Sequence, residues 1–313
     1  MNYKDNINKF KINCKLNGIL YAINSFNKNK DYYYYSKLNK RKYKKELKEW
    51  YYYRTGEILN YNNPENFNQK IQYLKLNDSN SLKTLLSDKY KCREWITDNI
   101  GKEYLVPLLG VWNKFDDIDF DKLPNKFVIK CNHGSGFNYI VKDKSKLNIN
   151  ELKEKVNKWM DTNFAFVNGF EMHYKDIKPV IICEEYLGDN LIDLQAWCSN
   201  GKIMFFSYIY SPHGENKKAT YDENWNRLDF YTSLPIYNGD CLKPKKLKSI
   251  KNIVNNVSKN FKFVRVDFYI TNSGKILISE FTFTPASGYC GWSPSSANKT
   301  IGDMLDLGGF NEK

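Results

Sequence analysis

Phe263-Val264-Arg265-Val266-Asp267-Phe268-Tyr269, a turn at Thr271-Asn272-Ser273-Gly274, then Lys275-Ile276-Leu277-Ile278-Ser279-Glu280-Phe281-Thr282 read as a β-hairpin. Side chains alternate across a strand, so Arg265 and Asp267 share one face while Val264, Val266 and Phe268 take the other. The hairpin brings Asp267 towards Glu280, with Arg265 and Thr282 flanking them. Two carboxylates converging from neighbouring strands repel unless a cation or a shared proton compensates, and Mg²⁺ with nucleotide phosphates is a natural compensator. An Arg on the same face suits the charge of a transferring phosphoryl group. An Arg/Asp/Glu salt-bridge cluster on an exposed sheet face answers the same pattern.

Two further stretches carry chemistry. Lys126-Phe127-Val128-Ile129-Lys130, Cys131-Asn132-His133-Gly134-Ser135-Gly136-Phe137-Asn138 and Tyr139-Ile140-Val141-Lys142 predict a strand, a small loop and a returning strand. The glycines would let backbone N–H groups approach phosphate oxygens, and Lys130 would add a point charge. An ordinary hairpin turn fits too, and no helix opens directly after the loop as a Walker loop or dinucleotide fingerprint requires. Val180-Ile181-Ile182-Cys183-Glu184-Glu185-Tyr186-Leu187 reads as a buried strand ending in two acids. Its edge could serve an adenine ring, with a carboxylate for the amino group or the ribose hydroxyls, or be simply a strand end.

Residues 1–60 read as polar helix closed by turn signals at Tyr61-Asn62-Asn63-Pro64. Phe67, Ile71 and Leu74 have helical spacing, and residues 81–100 repeat it through Leu82, Leu85, Leu86, Tyr90 and Trp95. After Pro107 come short apolar runs with strand character at residues 108–112, 127–129, 139–141 and 180–183. Residues 149–160 read as helix, 194–198 and 203–210 as strands, 211–240 as loops, and 247–260 as helix. Helices followed by mixed strands predict an α+β fold.

The chain has 313 residues, enough for two or three lobes around one large core. Its net charge is +13. Residues 1–50 hold thirteen Lys/Arg against four Asp/Glu, a net +9, which leaves +4 for everything after them. Basicity is therefore local to the N-terminal segment, which also carries Tyr32 to Tyr35, and the pattern suits anionic lipid or an acidic glycan rather than nucleic acid. A solvated Lys-rich helix has the same composition. Seven scattered cysteines (Cys14, Cys92, Cys131, Cys183, Cys198, Cys241, Cys290) without metal-type spacing predict buried thiols in a reducing cytoplasm. The N-terminus is polar, the stretch from Leu16 to Phe26 is interrupted, and no apolar run reaches the roughly 18 residues of a membrane span. His133, His173 and His213 are too dispersed for a zinc site. Trp197, Trp225 and Trp292 suit either packing or a sugar surface. Ser287-Gly288-Tyr289 suits either an ordinary loop or an acceptor-positioning one.

In order, a Lys before a Gly-rich hairpin, a strand closing in Glu-Glu-Tyr-Leu, then Arg-x-Asp and Glu-x-Thr resemble the ATP-grasp superfamily. Longer phrases are similar to its TupA-like branch, whose members belong to bacterial surface-polysaccharide and teichuronopeptide biosynthesis: Asn63-Pro64-Glu65-Asn66-Phe67-Asn68-Gln69-Lys70-Ile71-Gln72, Leu86-Ser87-Asp88-Lys89-Tyr90-Lys91, the stretch from Leu123 to Gly136, Phe281-Thr282-Phe283-Thr284-Pro285 and Gly302-Asp303-Met304-Leu305-Asp306-Leu307. The resemblance covers roughly residues 60–310. It implies an ATP-grasp fold of two α+β lobes, 61–183 and 184–313, with residues 1–60 as a basic helical extension.

By the same resemblance Lys89 and Lys130 contact ATP phosphates under a loop of His133, Gly134, Ser135 and Gly136. Glu184, Glu185 and Leu187 sit at the adenine and Asp193 near the ribose. Arg265 faces an acyl phosphate, and Asp267, Glu280 and Thr282 hold Mg²⁺, two ions being usual. This chain departs from the pattern in two places, with Thr282 where most ATP-grasp enzymes carry Asn and Gln195 where close relatives carry Lys. The implied activity is ATP-dependent carboxylate–amine ligation through an acyl phosphate, on an acidic sugar or glycan with an amine donor. A sugar kinase, or a catalytically weakened nucleotide- or glycan-binding component of a membrane-associated assembly, are the rival expectations. The expected location is cytoplasmic, with possible peripheral contact at the inner membrane face through residues 1–50.

Overall fold

The structure is a computed structural model that describes residues 32–210, 217–232, 236–239 and 241–308. Cys14, His213 and the stretch from Leu16 to Phe26 lie outside the described residues. Residues 32–37 are helical, followed by α1 (Tyr43–Thr55), α2 (Phe67–Asn77), α3 (Ser81–Ser87) and α4 (Cys92–Asn99). Then come β1 (Leu108–Trp112), β2 (Phe127–Cys131), β3 (Asn138–Val141), α5 (Ile149–Met160) and β4 (Ile181–Glu185). The rest is β5 (Ile192–Ser199), β6 (Lys202–Tyr210), β7 (Lys217–Tyr221), β8 (Arg227–Leu228), α6 (Leu247–Ser258), β9 (Val264–Ile270), β10 (Ile276–Thr282) and α7 (Ala297–Met304). Asparagine starts three of these helices. Asn66, Asn80 and Asn148 each accept a hydrogen bond from the backbone N–H three residues on, satisfying one of the donors a helix start leaves free.

Two antiparallel sheets organise the chain, as the α+β expectation requires. One has the order β1-β4-β2-β3, the other β10-β9-β5-β6-β7-β8. The four-stranded sheet packs Phe127, Ile129, Cys131, Ile181 and Cys183 on Leu152 and Val156 of α5. The six-stranded sheet buries Leu194, Ala196, Phe206, Val264, Val266 and Phe268 against Ile250, Val254 and Val257 of α6 and against Leu86 and Ile96 of α3 and α4. On its other face Trp197 and Phe205 meet Phe67, Ile71 and Leu74 of α2. The early helices thus pack on the six-stranded sheet, while Glu184 and Glu185 end a strand of the four-stranded one. Helix α1 docks Tyr43, Leu47 and Tyr51 on Phe164, Phe166 and Phe170.

Two expectations change. The pattern over residues 81–100 is not one helix: it breaks after Ser87, where Asp88 accepts from the N–H groups of Tyr90 and Lys91 in a turn that precedes α4. Residues 211–240 are not all loop, since β7 and β8 extend the six-stranded sheet. The described cysteines are buried and none is in a disulfide. Trp197 and Trp292 pack in the interior, and Trp225 stacks on Tyr221 at 4.5 Å. No described helix is long and apolar enough to cross a membrane.

Candidate active site

β9 and β10 pair with Ile278 opposite Phe268, then slip by one residue so that Glu280 stands opposite Asp267 and Thr282 opposite Arg265. β5 lies on the other side of β9, with Gln195 opposite Asp267 and Asp193 opposite Tyr269. One sheet face therefore gathers Asp193, Gln195, Arg265, Asp267, Glu280 and Thr282. Facing it, the break between α3 and α4 presents Lys89. Its N–H donates to the Asn132 carbonyl (3.0 Å), and its ammonium donates to the Gly134 carbonyl (2.6 Å) and sits 3.8 Å from Glu280. Lys130 completes the wall, bonded to Glu184 at 2.5 Å.

These groups enclose a polar cavity of about 160 Å³ lined by Lys89, Lys130, Ser135, Gly136, Asp193, Gln195, Asp267 and Glu280 among others. Beside it, sharing Lys130, Asn138 and Tyr269, lies an apolar cavity of about 130 Å³ lined by Val106, Val128, Ile140, Leu187, Leu191, Glu184, Glu185 and Tyr186. A polar pocket for phosphates adjoining an apolar slot for a flat ring is the division of labour a nucleotide needs. A third cavity, about 400 Å³ between α4 and α6, has Lys259 as the one charged group in its lining.

The electrostatics are those of buried charge. Asp267 is 2% exposed. Arg265 donates to both its oxygens, at 2.7 and 2.5 Å, and to Thr282 Oγ1 at 3.1 Å, while lying 3.5 Å from Glu280. The salt-bridge cluster raised by the sequence is thus real, but it is buried and opens into a cavity. Burial pushes Asp267 up to about 8 against the opposing Arg265, and Asp193 up to about 6. Burial also disfavours ionised Glu280, but Lys89, Arg265 and Lys130 outweigh it and hold that carboxyl below its ordinary value. For Lys130 burial acts downward, and Glu184, Tyr269 and Glu280 together raise it above its ordinary value. Asp193, Gln195, Asp267 and Glu280 turn side-chain oxygens to one small space, and Asp193 Oδ1 and Gln195 Oε1 are buried with no hydrogen-bond partner. That hard-oxygen set fits Mg²⁺, which needs one or two carboxylates plus substrate phosphates. No group of three acidic, His or Cys side chains among the described residues forms a complete metal cage.

Most expected site residues converge here. Glu184 does so with its carboxylate already held by Lys130 and by Arg93 at 3.2 Å. Asp193 lines the polar cavity rather than the apolar one. His133 does not reach either: its Nε2 is 3.0 Å from the Trp159 carbonyl, its Nδ1 3.3 Å from Asn132 Oδ1, and its ring meets Phe137 edge-on. Gly134 contributes its carbonyl to Lys89, and a Cβ there would come within 2.7 Å of Phe137 and Phe164. Gly136, at φ 74°, supplies the left-handed turn of the loop.

The sequence reading missed Lys218. It pairs with Ile209 on β6, which pairs with Asp193 on β5, so the three form a row across the site face. The Lys218 ammonium, 5% exposed as a residue, donates to Thr232 Oγ1 at 2.6 Å. Burial pulls its pKa down to about 8, Arg265 acting the same way while Asp193 and Asp267 resist. Its signal, Lys-Lys-Ala-Thr, lay in a stretch read as loop.

Comparison with known proteins agrees with this architecture. The family model described as TupA-like ATPgrasp matches residues 69–306. Among curated proteins none matches the chain. Solved structures similar to it include an L-amino acid ligase from Bacillus licheniformis (13% identity, TM-score 0.41, covering 68% of this chain and 45% of that one). Another is a D-alanine–D-alanine ligase from Bacillus anthracis complexed with ATP (17% identity, TM-score 0.43, 72% and 66%). A third is an N5-carboxyaminoimidazole synthetase from Staphylococcus aureus (14% identity, TM-score 0.36, 63% and 44%). The chain spans less than two thirds of the length of each. Because the family match runs unbroken through the elements that build both cavities, from α2 to the end of α7, the chain belongs to the TupA-like ATP-grasp family and has an ATP-grasp fold.

Proposed function

We propose that this protein is an ATP-dependent carboxylate–amine ligase that modifies an acidic sugar or glycan during bacterial capsule or surface-polysaccharide biosynthesis, on the cytoplasmic side. The observation that supports it best is the convergence of Lys89 and Lys130 with Asp193, Asp267 and Glu280 on one polar cavity that adjoins an apolar one, with Arg265 bonded to Asp267. Adenine takes the apolar cavity between Val128, Ile140, Leu187 and Leu191, with Glu185 and Tyr186 at its rim. The phosphates extend past Lys130 towards Lys89 and the Ser135–Gly136 loop. Asp267 and Glu280, with Thr282, hold Mg²⁺, which when bound supplies positive charge to the terminal phosphates.

Phosphoryl transfer asks mainly for positioning and charge neutralisation. A substrate carboxylate oxygen attacks the γ-phosphorus, the bond to the β–γ bridging oxygen breaks, and ADP leaves. An amine then attacks the acyl carbon, phosphate departs, and the amine gives up a proton. Arg265 would turn from Asp267 to the transferring phosphoryl oxygens, which would leave Asp267 free to hold a bound cation.

The test is incubation with Mg-ATP, acidic sugars and an amine, read for ADP and by mass spectrometry for product. An amide formed with stoichiometric ADP and phosphate supports the ligase. A stable phosphorylated sugar made without an amine assigns a kinase, and tight ATP binding without ADP from any acceptor assigns a binding component.

A further inference from the structure

We infer that the outer face of residues 32–58 is a docking surface for an anionic phospholipid bilayer, which would hold the protein reversibly at a membrane while the catalytic lobes remain in solution. The inference is independent of the reaction proposed above. Over residues 32–58 there are eight Lys/Arg and three Asp/Glu, a net +5 in 27 residues, against a net +4 spread over the 255 residues that follow.

The fold sorts these residues by side. Tyr43, Leu47, Trp50 and Tyr51 are buried on the body of the protein. Tyr35 stacks on Trp50 at 4.5 Å and Tyr43 on Phe170 at 4.3 Å, while Arg54 points inward to Asn168 and the Tyr289 ring. The helix is therefore not an amphipath awaiting a partner for its apolar face, because that face is already used. What remains outward is Lys37, Lys40, Arg41, Lys42, Lys44, Lys45 and Lys48, all exposed. Lys45 is 3.9 Å from Glu49, Lys44 donates to Asn62, and Lys37 is 3.9 Å from the Tyr33 ring centroid. Lys40, Arg41, Lys42 and Lys48 have no ion pair among the described residues.

Interleaved with these cations are exposed apolar groups: Tyr33 (63%), Tyr34, Tyr52, Tyr53 and Ile58 (83%). Cations attract the negative leaflet surface, each contributing independently, and tyrosine rings settle at the headgroup level with the hydroxyl in water. None of these residues lines a cavity described above, so they offer neither a strand-sized groove nor a small-molecule pocket. A single-stranded nucleic acid binds in a basic groove with stacking platforms inside it. A planar phosphate surface needs only an exposed face of one predominant sign, and here seven exposed cations stand against the exposed Glu49 and Glu57.

Sedimentation of the full chain with vesicles tests this. Vesicles of phosphatidylcholine with about a third phosphatidylglycerol should pull the protein down at low salt, and phosphatidylcholine alone should not. Raising salt through a few tenths molar should release it, because exposed charges are screened within roughly 10 Å. Reversing Lys40, Arg41, Lys42 and Lys48 to Glu should lower the partition coefficient by on the order of 100-fold or more, with an unchanged melting temperature and unchanged Mg-ADP binding. Tyr52→Ser with Ile58→Ser should weaken binding while keeping its salt dependence. Equal binding to both vesicle types, binding unaffected by the charge reversals, or retention on nucleic acid without retention on vesicles would each overturn the assignment.

Discussion

Glu280 faces Asp267 because Ser279 is left out of the ladder between β9 and β10. Ile278 pairs with Phe268 and Glu280 pairs with Asp267, a one-residue slip. In an unbroken register Ser279 would oppose Asp267, and Glu280 would oppose Val266 and point into the core. With the bulge, Ile278 and Phe281 both stay in the core while Ser279 and Glu280 line the polar cavity. Bulges that re-aim a side chain are a recognised device beside active sites. Asp267→Asn and Glu280→Gln should therefore each cut acceptor-dependent ADP release by on the order of 100-fold or more, with a circular dichroism spectrum like that of the parent. Turnover retained in both would remove the metal assignment.

The buried Asp267 makes apo-protein stability depend on pH in a definite sense. Its pKa rises from about 4 in the unfolded chain to about 8 in the fold, so the folded state binds the extra proton and loses relative stability as pH climbs through that window. Glu280, lowered from its ordinary 4.5, contributes in the opposite sense and only at and below the lower edge of that window. The melting temperature of the parent should accordingly fall relative to that of Asp267→Asn between pH 4 and pH 8. A metal cation displaces the proton, so Mg-ADP affinity should strengthen with pH up to about 8, approaching tenfold per unit where one proton is exchanged. A pH-independent difference between the two proteins would contradict the buried, proton-holding aspartate.

Lys218 lies in the same cross-strand row as Asp193, one row of the same face from Gln195, the position at which a lysine was expected. An ammonium there adds a fourth cation to Lys89, Lys130 and Arg265. Replacement by Met should lower kcat by roughly 10- to 100-fold while ATP binding measured by calorimetry stays within a few-fold, and Arg should restore part of the rate. An equal loss in ATP affinity with kcat unchanged would put Lys218 on the nucleotide instead of the transferring group.

How much of this was legible in the sequence depended on whether the signal was local. Period-two alternation around Arg265 and Asp267 fixed which residues share a face, and the turn at 271–274 fixed the hairpin. Helix 149–160 was readable from its apolar spacing. The bulge at Ser279 was not, because a slip of one residue leaves no compositional trace. His133 was misplaced because the glycines beside it suggested a phosphate loop, whereas the tertiary packing of Phe137, Phe164 and Trp159 turns the ring away from the cavity. Lys218 was hidden because a strand of five residues, Lys-Lys-Ala-Thr-Tyr, carries little alternation. The break at Asp88 involves Asn132, forty-four residues away, which donates to the same Asp88 oxygen that accepts from Tyr90 and Lys91.

The loop that follows Thr282 shows what holds this site in place. Ala286 and Ser287 have φ of 46° and 54°, a left-handed conformation costly for residues with a Cβ. Such a backbone persists only when its surroundings over-determine it, and α2 does so with one polar stripe. Asn68, Gln72 and Lys75 are all buried. Asn68 exchanges hydrogen bonds with the Cys290 backbone (3.0 and 3.1 Å), Gln72 donates to the carbonyls of Ser287 and Gly288 (3.0 and 2.9 Å), and Lys75 donates to the Asn168 carbonyl (3.1 Å), to which Ser287 Oγ also donates. The Thr284 hydroxyl donates to Glu171. Gly288 completes the clamp at φ 72°, where a Cβ would stand 2.5 Å from the Gln72 amide. Gly288→Ala therefore meets both a strained φ and a collision, and should destabilise the protein by about 1–3 kcal/mol. Gln72→Met, which keeps the volume but orphans two buried carbonyls, should cost a similar amount. Both should appear as lowered denaturation midpoints with unchanged slope. If the loop also sets the position of Thr282, kcat in the folded Gln72→Met protein should fall further than the ATP dissociation constant rises, whereas equal stability of parent and both variants would mean that the loop holds its shape without α2.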